Sequence, residues 1–294
     1  GEPRTSTNFL NKFRTIRQFF RTPGIIARIT SEAIADAAAD NIKYMELRFT
    51  PAALCSMSKC SAGEVVSLVC EATRSASEEH DINVRLIVSM NRHESVRLGE
   101  VVMEAALAHR DKGVVALDIA GNEAQFPATP FADLFQQAKR EGLRITVHAG
   151  EWGGASSIWD AIEHLGAERI GHGIRVLEDP SIVNVLVTRG ILLEVCPTSN
   201  VHSGIVRDLS EHPLPKLAHS GLRVSLNTDD PLISNITLTD EIAWSIEHLN
   251  FSLADIKALT LMAARHIFLP DNERTALVAR FEREAQIIAR LEHP

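Results

Sequence analysis

Two of the chain's twelve histidines end apolar runs beside residues able to do chemistry with them. In Thr146-Val-His148-Ala-Gly-Glu151, His148 closes a run and Glu151 stands three residues on. A neutral ring nitrogen at a strand end can ligate a metal, and a nearby unligated Glu can move protons. Taken alone, such a His is more often structural. Trp152-Gly153-Gly154 then either leaves room for a substrate or forms a bare turn. In Arg169-Ile-Gly171-His172-Gly173 the flanking glycines permit close approach of another group, or mark a bulge with a hydrogen-bonded His. Asp229 and Asp230, at the end of Val224-Ser-Leu-Asn-Thr-Asp-Asp-Pro231, repel each other unless a cation sits beside them. A metal bound by Asp229 would supply one, although Asp-Asp-Pro by itself reads as a turn.

Two further strand ends and one strand face are polar. Leu117-Asp118-Ile-Ala-Gly121-Asn-Glu123 offers Gly121 backbone to a ligand and Asp118 as a buried group behind a site. Glu194-Val-Cys-Pro-Thr-Ser-Asn200 reads as turn chemistry, and Glu46 with Arg48 as an interior ion pair. Each signal is weak alone. Jointly, a few N/O ligands with an open position form the pattern of catalytic zinc, which acidifies bound water to a pKa of about 7.

The elements that must position these groups alternate. Strands are predicted at Lys43–Phe49, Val84–Met90, Val114–Ala120, Arg144–Ala149, Arg169–His172, Ile191–Cys196 and Arg223–Thr228. Helices are predicted at Ile25–Ala39, Ala62–Glu79, Val96–His109, Phe131–Glu141, Ser157–Leu165, Pro180–Arg189 and Leu214–His219, with a helical tail that starts at an N-cap, Ser252, and closes with Asn272–Leu291. Short apolar strands between amphipathic helices imply a parallel sheet covered by helices, with chemistry at the strands' C-terminal ends. An open doubly wound sheet or a barrel short of one strand both fit seven strands. No G-x-G-x-x-G turn supports dinucleotide binding, and no Pro/Gly/Ser-rich linker divides the chain, so residues 1–294 are expected to form one domain.

Composition bounds the rest. The chain is 45% hydrophobic and 23% charged, with 38 acids against 30 bases and a net charge of −8. That balance, without a basic block, argues against nucleic acid as a partner. The single Tyr and 5% aromatic content offer no stacking platform. The apolar runs are too short to span a membrane, and no low-complexity tract suggests disorder. Four cysteines without a C-x-x-C pair suggest a reducing, cytoplasmic setting.

His148-Ala-Gly-Glu151, Gly171-His172-Gly173 and Ser225-Leu-Asn-Thr-Asp-Asp-Pro231 resemble the motifs of the adenosine/AMP deaminase family. Met45-Glu-Leu-Arg-Phe-Thr-Pro51, Leu117-Asp-Ile-Ala-Gly121 and Glu194-Val-Cys-Pro-Thr-Ser199 extend the resemblance through the chain in the family's order. It implies a (β/α)8 TIM-like barrel, an α/β fold, with one zinc per subunit, hydrolysing the 6-amino group of adenosine (and 2'-deoxyadenosine) to give inosine and ammonia. By that resemblance His148 and Asp229 ligate zinc, and Glu151 donates a proton to purine N1. His172 orients and helps deprotonate the attacking water, which also donates a hydrogen bond to Asp229. Asp230 holds purine N7, and the Gly121 N–H holds N3. The stretch Asp230–Leu238 favours adenosine, and no basic cluster near the motifs suggests a phosphate. AMP, adenine or a modified nucleoside is the alternative substrate within the class. A non-catalytic nucleoside-binding protein is the alternative outside it.

One departure stands out. The family's first strand carries a His-x-His pair of metal ligands followed by an acid that contacts ribose. This chain has no His-x-His, and its first histidine is His80. Lys43–Phe49 matches the family's second strand, so the first strand and its helix are expected to be missing from an N-terminally incomplete chain, along with two zinc ligands. Nothing in the sequence encodes the oligomeric state.

Overall fold

The computed structural model describes residues 3–292. Its seven strands are β1 Tyr44–Phe49, β2 Asn83–Asn91, β3 Val114–Ala120, β4 Arg144–Ala149, β5 Arg169–His172, β6 Leu192–Val195 and β7 Arg223–Leu226. They pair in parallel in the order β1-β2-β3-β4-β5-β6-β7. All seven predicted strands are present, the last two trimmed by a residue or two.

Local chemistry sets where the helices begin. Ser61 and Glu64 form a reciprocal capping box for Ala62–His80, and Ser252 with Asp255 does the same for Leu253–Arg265, as its sequence predicts. Ser157–Leu165 was expected as a helix; the helix is Ala155–Glu163, entered from Gly154 at φ +77°. Five helices go beyond the sequence expectation: Ser6–Arg17, Pro51–Ser58, Pro197–His202, Pro231–Ser234 and Leu238–Leu249. Three of these start at a Pro within five residues of a strand end. There the fixed φ of Pro suits the first helical position, so a turn-like composition opens a short helix instead.

On the outer side, the main hydrophobic cluster runs from Ile26 through Leu86, Val88, Phe135, Ile145 and Leu193 to Leu259. The inner side differs. Arg48 on β1 pairs with Glu194 on β6 at 2.9 Å, and Arg169 on β5 bonds Glu46 on β1. Strands four or five places apart in the sheet order therefore meet across an interior, so the sheet is curled into an open half-barrel. Ile87, Ala116 and Phe268 close the lower interior, with the Arg169 guanidinium 3.5 Å from the centre of the Phe268 ring. Glu46 and Arg48 do form interior ion pairs, but each with another strand rather than with each other.

Among the described residues β1 and β7 are not paired with each other. The segments flanking that gap are nonetheless joined, because Asp40 Oδ2 accepts the Leu238 and Thr239 N–H groups at 2.8 and 3.2 Å. A carboxylate on two free N–H groups of a helix start is a favourable cap. No single helix among the described residues is long and apolar enough to cross a membrane, and all four cysteines are free thiols.

Candidate active site

The C-terminal ends of β4, β5 and β7 deliver His148, His172 and Asp229 to one mouth. One ligand atom from each lies within 4.8 Å of the others. Two of the three need unusual backbone, His172 at φ +64° and Asp229 at φ +58°. A non-Gly residue held in the left-handed region costs energy, and such strain concentrates at functional sites. Gly171 pairs with His148 across the strands, and a Cβ on it would stand 3.3 Å from His148 Cα and Cγ. What the glycine admits is thus the neighbouring histidine.

Each of the three is held from behind. His148 Nδ1 donates to Asp118 Oδ1 at 2.9 Å, which leaves the lone pair on Nε2. Asp118 is fully buried and also accepts from Ser89 Oγ at 2.6 Å. Asp229 Oδ2 accepts from Ser199 Oγ at 2.6 Å. His172 Nδ1 lies 3.1 Å from Asn200 Nδ2. Ser199 and Asn200 come from Pro197–His202, the segment whose sequence reads as a plain turn.

Glu151 completes the cluster. It is 5% exposed, with Oε2 3.6 Å from His172 Nε2 and Oε1 accepting from Ser203 Oγ at 3.2 Å. Burial pushes its carboxyl up to about 7; His172 opposes the rise, and the carboxylates of Asp229 and Glu123 add to it. The two adjacent aspartates separate. Burial acts against charge on Asp229, but His172, His148 and the Ser199 hydroxyl outweigh it and hold the group below the usual range. Asp230 is pushed well above it, by burial and then by the charge of Asp229. One of the pair thus stays ionised and the other keeps its proton.

The loop carrying Glu151 hangs on a residue the sequence left unassigned. Glu123, 7% exposed, accepts from the Gly150, Glu151 and Trp152 N–H groups at 2.6, 3.0 and 2.8 Å, and from the Ser157 hydroxyl. A run of three backbone donors on one carboxylate fixes the loop. Gly150 (φ +69°) permits the bend, since a Cβ there would come within 2.7 Å of Ile158 Cγ1. Arg92, 4% exposed, ties the mouth together from the other side by donating to His148 O at 2.5 Å. Gly121 lies just past β3 at φ +102°, beside Arg92 and His93. No sequence motif marks Glu123, Arg92 or Ser203; only the positions of Arg92 and Glu123 just after strand ends could have singled them out.

As a metal site, the donor set is chemically coherent. His148 offers Nε2 with its far nitrogen fixed by a carboxylate, and Asp229 is ionised; N and O donors of this kind suit zinc. His172, assigned from the sequence to the water rather than the metal, falls in the same cluster. Arg48 Nη1 stands 3.5 Å from His148 Nε2 and competes for that lone pair.

The fold and mouth define a half-barrel α/β hydrolase with its chemistry at the strand ends, and the chain's relatives narrow this. Residues 2–283 match the adenosine deaminase sequence family, and the chain belongs to that family of hydrolytic deaminases. An adenosine deaminase from Erwinia tasmaniensis is 38% identical over 275 residues, spanning 93% of this chain and 82% of that protein. The crystal structure of an adenine deaminase from Arthrobacter aurescens superposes with a TM-score of 0.90 at 29% identity, over 96% of this chain and 86% of that one. An amidohydrolase from Burkholderia ambifaria with bound zinc superposes at 0.88 and 26% identity, over 95% and 79%. The first two of these are deaminases of adenosine and adenine, so purine deamination is the chemistry they share with the family.

Proposed function

We propose that this protein is a zinc-dependent adenosine aminohydrolase, converting adenosine and 2'-deoxyadenosine to inosine or deoxyinosine plus ammonia. The observation that carries the reading is the pairing, in one mouth, of a protonatable Glu151 with the His148–His172–Asp229 cluster. Glu151, poised near neutrality, gives its proton to purine N1 as water adds at C6, so charge building toward N1 is met in the transition state. Asp229 accepts a hydrogen bond from the attacking water, and His172 orients it. Asp230, protonated, donates to the N7 lone pair, and the Gly121 N–H holds N3. His148 and Asp229 would hold the metal, which when bound supplies Lewis acidity that makes water acidic near neutral pH.

An eighth strand belongs to this proposal. Its place is between the free edges of β7 and β1, and the His-x-His pair that the family resemblance implies would complete the ligand set. The coding sequence upstream of Gly1 tests that part. The binding partner is a small purine nucleoside, and residues 1–294 fall within one barrel domain of a cytoplasmic enzyme of nucleoside salvage.

The reaction is tested with protein expressed from the complete gene, incubated with adenosine, AMP and adenine while ammonia and zinc content are measured. Adenosine should give the highest kcat/KM with about one zinc per chain. Metal-free protein that binds adenosine without releasing ammonia would support the non-catalytic alternative.

A further inference from the structure

His172 is backed by a chain of hydrogen bonds whose direction can be worked out from its far end. Leu214, the first residue of helix Leu214–His219, has a backbone N–H that can only donate. It lies 3.1 Å from His212 Nδ1, so that nitrogen accepts and the His212 hydrogen sits on Nε2. His212 Nε2 is 3.2 Å from Asn200 Oδ1 and donates to it. The amide's other end, Nδ2, is 3.1 Å from His172 Nδ1 and donates there. The lone pair of His172 is thus engaged at Nδ1, and its hydrogen is left on Nε2. That nitrogen faces Glu151 Oε2 at 3.6 Å and Asp229 Oδ2 at 3.9 Å.

The direction does not depend on which way the Asn200 amide is drawn. Turned over, its Nδ2 would face His212 Nε2–H, donor against donor. Moving the His212 hydrogen to Nδ1 would relieve that, but would then set it against the Leu214 N–H. Only one ordering satisfies every member, and the fixed backbone donor selects it. Asn200 is fully buried, and His212 and His172 are 4% and 2% exposed. Burial first, and His172 second, hold the His212 ring down to about 3, so His212 stays neutral.

We propose that His212 and Asn200 are positioning residues that lock His172 with its hydrogen on Nε2, making His172 a hydrogen-bond donor to the attacking oxygen rather than its base or a metal ligand. Two consequences follow. Asp229 is left to accept the water's hydrogen, and of the three clustered residues only His148 and Asp229 present free lone pairs to a metal. The identity of the attacking oxygen rests on the deaminase reading; the tautomer does not.

Side-chain 15N NMR of the imidazoles tests the lock without reference to turnover. In the purified wild-type protein, the His172 ring should show a protonated Nε2 and an acceptor-type Nδ1. Asn200→Asp replaces the donor at Nδ1 by an acceptor and should move the hydrogen to Nδ1. It should lower kcat by about 10²-fold, the scale of losing one preorganised donor, with KM changed only a few-fold. His212→Gln keeps an amide donor toward Asn200 and an acceptor toward Leu214, and should keep both the tautomer and most of kcat. A wild-type ring with its hydrogen on Nδ1 overturns the proposal, as does an Asn200→Asp ring that stays neutral with its only hydrogen on Nε2. Should Asn200→Asp not fold, the wild-type and His212→Gln spectra decide alone. A locked Nε2–H in a protein that releases no ammonia from adenosine would sink the deaminase reading and leave the lock intact.

Discussion

The lower interior of the half-barrel and its mouth are both crowded with buried charge, and they handle it in opposite ways. Below, Glu46, Asp118 and Glu194 are matched by Arg48 and Arg169, which reach across from β1 and β5. Burial disfavours charge on Asp118 and Glu194, but Arg48 with His148 on the first, and Arg169 with Arg48 on the second, overcome it and keep both acids ionised, below the usual range. Above, Glu151, Asp229 and Asp230 share a mouth in which, among the described residues, no arginine is ion-paired with any of them, and Arg48 acts on the two aspartates only from a distance. Two of the three acids are driven up, and hold protons where carboxylates normally do not. The residue types are the same; the ratio of cations to acids differs. A buried carboxylate becomes an acid catalyst when its compensating charge is withheld.

Substitutions can break this contrast from either side. The largest effect is expected at the mouth: Glu151→Gln should lower kcat for adenosine by about 10²–10⁴-fold, the span of general acid catalysis, while the thermal midpoint and zinc content hold. Turnover within tenfold of wild type would remove Glu151 as the proton donor. Below, Arg169→Met leaves Glu46 and Glu194 short of a partner and should cost about 3–5 kcal/mol of stability in urea unfolding. Activity per folded molecule should survive, because Arg169 touches nothing at the mouth; activity lost without loss of stability would contradict a purely structural role. Asp118 links the two levels, and Asp118→Asn should weaken zinc binding by about 10–100-fold, read by competition with a chelator. Unchanged affinity would mean that His148 needs no backing carboxylate.

Strand–helix alternation made the sheet legible, since β1 to β7 all follow from short apolar runs between amphipathic stretches. Legible too were the groups at the mouth, because His148, Glu151, His172 and Asp229 each end a run in a motif. The supports were not. Glu123 and Asn200 matter through contacts with residues 27 and 28 positions away, and no local pattern encodes such a contact. Pro197–His202 was opaque for a related reason: Pro, Thr, Ser and Asn favour turns, and Pro at the first helical position together with burial makes them a helix that presents Ser199 and Asn200. Glu46 and Arg48 look like partners two residues apart on one face. Curling of the sheet gives each a closer partner across the interior, a feature of closure that lies beyond the sequence of any one strand.

The central claim is that Glu151 works as a proton donor because its charge is uncompensated, and the pH dependence of kcat/KM for adenosine measures this directly. A donor must be protonated to act, and the group titrates at about 7. The rate should therefore be highest on the acid side and fall about tenfold per pH unit above that point, a limb that vanishes from the residual activity of Glu151→Gln. A rate that stays level or climbs between about pH 7 and pH 9 would show that no protonated Glu151 is required.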